Sequence, residues 1–100
     1  MDSNTNQNAF THISLEAKTL IAALAVESFN FRNCVHVNVV TTATDPSICV
    51  FIYVNGKCEQ SITIYLTDND AIAALQKAFD LVIAYKKQDK LLAPLIKLAS

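Results

Sequence analysis

The sequence has few of the residues from which many enzyme sites and secreted frameworks are built. Its 100 residues include one glycine, two prolines and three cysteines. A single glycine excludes a glycine-rich loop that would offer backbone donors to a substrate oxyanion. The cysteines, Cys34, Cys49 and Cys58, are odd in number and their spacing matches no metal motif. We therefore expect three free thiols and a reducing compartment.

Charge of one sign and long apolar runs are also missing. Eight basic residues against nine acidic ones give a formal net charge of −1, which provides no overall attraction to nucleic acid or to an anionic membrane. Uncharged stretches are too short and too often polar to span a bilayer, so we expect no membrane partner. The polar start MDSNTNQN does not have the pattern of a secretory signal. These features predict a cytoplasmic protein.

What the chain does contain is enough apolar sequence for one core. Apolar residues make up 52% of it and charged residues 17%, a balance typical of a folded domain. Residues 1–10 are polar and amide-rich, and we interpret them as a flexible tail. Residues 11–100 are expected to form a single domain.

Apolar spacing predicts two helices around three strands. Ser14 is a good N-cap for a helical repeat that ends near residues 27–29. Alternating residues then predict strands over 34–42, 47–54 and 57–67. The order indicates an α+β fold, α-β-β-β-α, with a three-stranded antiparallel meander sheet and the helices packed on one face.

The second helix is expected to open at Thr67-Asp68-Asn69-Asp70, which resembles a capping box. Beyond it, the apolar segment 91–100 contains Pro94, which breaks or kinks a helix. This segment either extends the second helix or forms a short third one.

The turn between the second and third strands allows two registers. A two-residue Asn55-Gly56 turn followed by regular pairing places Glu59 opposite Ile52 on the apolar face. A three-residue turn, with Gly56 left-handed, pairs Ile52 with Cys58 and keeps apolar residues together. A one-residue slip would invert one strand. We therefore predict the three-residue turn.

This alternation separates the sheet into two faces. The predicted core face contains Val35, Val37, Val39, Ile48, Val50, Ile52, Ile62, Ile64 and Leu66. The other face carries aromatic residues that either pack across strands or form a contact surface. We predict a protein-binding surface made of His36, Asn38, Phe51, Tyr53, Tyr65, Leu91 and Leu95. The aromatic face, at roughly 240 Å², is smaller than the about 800 Å² that one partner usually buries, so an edge strand, loops or the tail must join it.

No group of residues forms a catalytic or metal motif. Cys34, His36 and Asn38 share a predicted strand face but have no oxyanion donor nearby. Asp68 and Asp70 are accounted for by the start of a helix. We expect no enzyme activity, cofactor or metal.

The element order is similar to that of the double-stranded-RNA-binding domain. VFIYVNGK resembles that family's second strand and turn, and the likeness covers residues 14–85 as topology alone. The resemblance implies a basic cluster at the start of the second helix, where this chain has Thr67-Asp68-Asn69-Asp70. We therefore expect weak or no binding to nucleic acid. The order with a trailing helix also resembles some small phage-encoded inhibitors of bacterial defence nucleases.

The sequence thus favours a small, non-enzymatic protein-binding module that acts as a homodimer, an adaptor or an inhibitor. The alternative is a nucleic-acid-binding module built on the same topology.

Overall fold

A computed structural model describes residues 13–87 of the chain. They form helix α1 (Leu15–Glu27), strands β1 (Val35–Thr42), β2 (Ser47–Val54) and β3 (Lys57–Tyr65), and helix α2 (Ala71–Lys87). The strands form an antiparallel meander with β2 in the centre, which confirms the predicted α+β fold. The expected tail 1–10, Leu91, Leu95 and the question of a third helix lie outside the described residues.

Helix α1 begins where its sequence predicts. The Ser14 Oγ accepts a hydrogen bond from the Ala17 N–H at 3.1 Å, which satisfies one of the free donors of the first turn. Glu16 adds a negative charge near the positive end of the helix dipole. Ala17 and Leu24 are buried, whereas Leu15 and Val26 are exposed, so one side of α1 packs on the protein.

Helix α2 begins later than expected. The predicted start at Thr67 is wrong, because turns occupy residues 66–70 and the helix starts at Ala71. The Ala74 N–H donates to the Asp70 carbonyl at 2.9 Å, which makes Asp70 the residue that precedes the first turn. The later start places the small residue Ala71 in the core at 5% exposure, so burial rather than the capping-box pattern determines where the helix begins.

The β2–β3 hairpin differs from the predicted one. Asn55 and Gly56 both have positive φ, 54° and 81°, as a two-residue type I′ turn requires. Val54 pairs with Lys57, and the register then shifts so that Ile52 pairs with Gln60. The predicted three-residue turn and the Ile52–Cys58 pair are therefore wrong. The two-residue turn is favoured because its backbone twist matches the twist of the strands.

A β-bulge at Glu59 reconciles that turn with the apolar pattern. Tyr53 pairs with Cys58 and Ile52 with Gln60, so Glu59 is the extra residue on β3. The extra residue brings Val50 opposite Ile62, which keeps apolar side chains on one face. Cys58, expected on the core face, lies instead beside Tyr53 on the opposite face. The division into faces was otherwise correct, although each partner is displaced along β3.

The core lies between the sheet and the two helices. The predicted core-face residues of the strands are buried or half-buried, and α1 and α2 cover that face. The fully buried large side chains are Leu24, Val35, Val37, Ile48, Val50, Ile52, Leu75, Val82 and Tyr85. The Gln60 Nε2 donates to the Tyr85 hydroxyl at 3.2 Å, so the one amide on this face gives the buried phenol a partner.

A buried ion pair joins the ends of the helices. Lys86, in the last turn of α2, lies 2.8 Å from the Glu27 carboxylate at the end of α1, and its side chain is 4% exposed. The ammonium also donates to the Glu27 backbone carbonyl. The Asn33 side-chain amide in turn donates to the Lys86 carbonyl. Lys86 therefore holds the end of α1 and the following turn against the end of α2.

Candidate protein-binding face

The sheet face opposite the helices is not covered by any element within residues 13–87. We call it the open face. Strand pairing arranges its side chains in rows that cross the sheet from β1 to β3. The rows are His36–Tyr53–Cys58, Asn38–Phe51–Ser61, Val40–Cys49–Thr63 and Thr42–Ser47–Tyr65.

The first row is an aromatic stack. The rings of His36 and Tyr53 lie with centroids 4.7 Å apart and an angle of 3° between their planes. Phe31 extends the row beyond β1, with its ring 6.5 Å from that of His36 at a tilt of 37°. Phe31 is 67% exposed, so the row ends in an apolar ring that faces solvent.

Phe31 reaches this position through a second two-residue turn. Asn33 and Cys34 have φ values of 54° and 61°, and Arg32 and Val35 exchange both backbone hydrogen bonds, at 3.1 and 2.9 Å. Asparagine often adopts positive φ and cysteine rarely does. Sequence reasoning missed Phe31 because it assigned no turn here. Asn33 immediately before an alternating strand was the available signal.

The remaining predicted residues are spread over the open face. Phe51 is half-buried on the central strand between exposed Asn38 and Ser61. Tyr65 is 45% exposed in the last row, about 13 Å along the strands from the Phe51 row. His36 and Tyr53 are therefore in contact with each other, Asn38 and Phe51 form the neighbouring row, and Tyr65 stands apart. Leu91 and Leu95 fall outside the described residues.

Almost no charge is present on the open face. The three strands contain two charged residues, Lys57 and Glu59, and both lie beside the β2–β3 turn. Elsewhere the rows combine aromatic and small apolar groups with hydroxyls and one amide. Such a face loses little hydration energy when a partner covers it, because no isolated charge has to leave water.

The thiols lie on or beside this face and are free. Cys34 and Cys58 are exposed and Cys49 is half-buried; the Cys49 Sγ lies 3.5 Å from the Thr63 Oγ1. The prediction of three free thiols is confirmed. Cys49 and Cys58 lie on the same face of the sheet, and the roughly 13 Å of strand between them keeps them from bridging.

A mainly apolar recess lies away from the open face. A groove of about 580 Å³ lies between β3 and α2, and its charged lining residues are Lys77 and Asp80. Within residues 13–87, no three His, Cys, Asp or Glu side chains are grouped so that they could hold a metal ion. Neither described helix has the length and apolar character needed to cross a membrane.

Comparisons with protein-family models, with curated proteins and with solved structures found no match for this chain.

Proposed function

We propose that this protein is a small, non-enzymatic protein-binding module whose contact surface is the open face. The observation that carries the proposal is an uncharged sheet face that presents the Phe31–His36–Tyr53 row and the half-buried Phe51. Aromatic residues are enriched and charged residues depleted at the centres of protein interfaces. The stacked rings also lose little conformational entropy when a partner covers them.

The start of α2 favours a protein partner over nucleic acid. In the double-stranded-RNA-binding topology this position carries basic residues, and here Asp68, Asn69 and Asp70 are exposed. Carboxylates at that position repel phosphates and release no counterions. Lys86 is buried against Glu27, which removes one cation from the surface at the other end of α2.

The size of the open face limits the kind of contact. Three strands of about eight residues give roughly 14 by 27 Å, or roughly 380 Å². A standard interface buries about 800 Å² on each partner. The open face therefore supplies the apolar centre of an interface, and neighbouring surfaces such as the exposed Phe31 must add to it.

A charge inserted into the open face tests the proposal. Ser61 is exposed beside Phe51 and remote from β1, so Ser61→Glu adds a carboxylate without disturbing the core. Thr19→Glu, on the exposed side of α1, is the matched control. The tagged variants serve as baits in the source cells, with quantitative mass spectrometry of the proteins that co-purify, and sedimentation equilibrium measures self-association.

We expect Ser61→Glu to bind the co-purifying protein at least tenfold more weakly, while Thr19→Glu retains it. The double variant Phe51→Ala/Tyr53→Ala should have the same effect while retaining a cooperative thermal transition. Retention of binding by both face variants would refute the open face as the contact surface. Co-purification of nucleic acid alone, unaffected by Ser61→Glu, would refute a protein partner.

A further inference from the structure

The two edges of the sheet differ in how well they are protected from pairing. The β3 edge has a bulge at Glu59 and carries Lys57, two devices that discourage the addition of a strand. The β1 edge runs over eight residues, VHVNVVTT, with no charge and no proline, and its pairing with β2 is regular throughout. An edge of this kind is a ready template for another strand.

Hydrogen bonding shows which groups of β1 face outward. The Asn55 N–H donates to the Cys34 carbonyl at 2.9 Å. This bond shows which residues of the β1–β2 ladder direct their backbone groups toward the other strand. Pairing in an antiparallel ladder alternates, so the odd-numbered residues of β1 direct their N–H and C=O groups away from β2. Val35 uses these groups to bind Arg32. Val37, Val39 and Thr41 are left with outward groups that bond to nothing within residues 13–87.

The turn before β1 restricts how a new strand can pair. Arg32 occupies the edge beside Val35, and Phe31 lies next to His36. An antiparallel partner must therefore pair beyond His36. A symmetric pair centred on Val39 would place Thr42 of the second copy opposite His36, in the space that Phe31 occupies. Centring on Val40 avoids Phe31 and still pairs Val39 and Thr41 of one copy with Thr41 and Val39 of the other.

The side chains also suit a pair centred on Val40. Val40 is 49% exposed on the open face and occupies a position without outward hydrogen bonds. Its side chain would meet its own copy at a Cα separation of about 4.5 Å, the closest approach in an antiparallel sheet. Because β1 is uncharged, the two copies bring no like charges together.

We propose that β1 is a docking strand for a second copy of this chain, which pairs antiparallel about Val40 and joins two sheets into one of six strands. Pairing gives Val39 and Thr41 of each copy backbone partners and covers Val40. It also places two open faces side by side, with a combined area of roughly 760 Å², close to the about 800 Å² of a standard interface. This last step rests on the proposed function, whereas the strand pairing itself does not.

Disulfide cross-linking tests the predicted register. In a chain with its three native cysteines changed to serine and its fold checked by circular dichroism, Val40→Cys should form a disulfide-linked dimer on mild oxidation. Asn38→Cys and Thr42→Cys should each stay monomeric alone and cross-link when mixed, because they face each other across the predicted pair. Failure of Val40→Cys to cross-link, or equal cross-linking by all three single variants, would overturn the proposal.

A charge at the axis provides a second test in the native chain. Val40 and Thr63 flank Cys49 in the same row, on opposite edges of the sheet. In sedimentation equilibrium, Val40→Lys should raise the dissociation constant of the dimer at least tenfold. Thr63→Lys should leave the dimer intact. A dimer that withstands Val40→Lys refutes the edge pairing. Ser61→Glu should lose the partner and keep the dimer, so partner binding retained by Ser61→Glu counts against the open face alone, and a dimer retained by Val40→Lys counts against the edge alone.

Discussion

Removing both members of the Lys86–Glu27 pair should cost no more stability than removing Lys86 alone, so the two single losses should not add. The Lys86 side chain is 4% exposed and the Glu27 side chain 18%, so neither charge returns fully to water when its partner is lost. Taking one partner from a buried pair costs about 3–5 kcal/mol, whereas replacing both by apolar or neutral groups is often close to neutral. Because the Lys86 side chain is the more buried of the two, the variant that leaves the Lys86 charge unpaired should lose more stability than the variant that leaves the Glu27 charge unpaired.

Glu27→Gln leaves the more buried charge without its counter-ion. The ammonium keeps the Glu27 carbonyl as an acceptor, and the new amide oxygen is a second one. We therefore expect a loss of about 3 kcal/mol in the free energy of unfolding, the low end of the range for a broken buried pair.

Lys86→Met leaves the less buried charge and keeps an apolar stem in the core. The Glu27 carbonyl still accepts from the Asn30 N–H at 3.1 Å. The carboxylate then lies unpaired at the negative end of the α1 dipole, which costs about 0.3–1 kcal/mol, and it loses a charged hydrogen bond worth about 1.5–3 kcal/mol. We expect a total loss of about 2 kcal/mol.

Urea unfolding followed by circular dichroism, with equal m-values required of all variants, measures these losses. The double variant Glu27→Gln/Lys86→Met should lose about 2 kcal/mol, so the coupling between the two sites is about 3 kcal/mol. Lys87→Met, the exposed neighbour, is the control and should stay within about 0.5 kcal/mol of the native chain. Additive single losses, or single losses no larger than that of the control, would show that the ion pair does not hold the helix ends together.

Three substitutions and one labelling experiment test further features of the structure. Ser14→Ala removes the side-chain acceptor of the Ala17 N–H and should lower unfolding free energy by about 1 kcal/mol; no change in urea midpoint would argue against the cap. Gly56→Ala meets no atom within 4 Å but keeps φ at +81°, so backbone strain alone should cost about 1 kcal/mol, and a neutral result would contradict the type I′ turn. Ile52→Ala, at 0% exposure, should cost about 2–5 kcal/mol, and a loss below 1 kcal/mol would mean that the site is not close-packed. Alkylation without reductant should modify exposed Cys34 and Cys58 before half-buried Cys49; a thiol resistant in the native state and released by reductant would disprove the free cysteines.

The sequence by itself predicted the elements and the division of the sheet into two faces. Ser14 was identified as a cap because a hydroxyl before an apolar repeat satisfies the first helical donors. Val35, Val50 and Ile64 were assigned to the core because side chains in a strand alternate between faces. These properties depend on residues that are close together in the sequence, so they can be predicted from local sequence patterns. His36, Asn38, Phe51, Tyr53 and Tyr65 were placed on the open face for the same reason.

Tertiary structure decided what depends on residues that are distant in sequence. Strand twist favours a two-residue turn, whereas packing of the core requires Val50 opposite Ile62. The bulge at Glu59 satisfies both requirements. The alternation of apolar and polar residues does not show which of the two requirements determines the turn. Phe31 joins the aromatic row only because the Asn33–Cys34 turn folds it back on β1. The sequence alone shows Lys86 only as a cation near the end of a helix, where the helix dipole favours positive charge. It is buried because α2 ends against the end of α1, where a carboxylate and a backbone carbonyl replace its water.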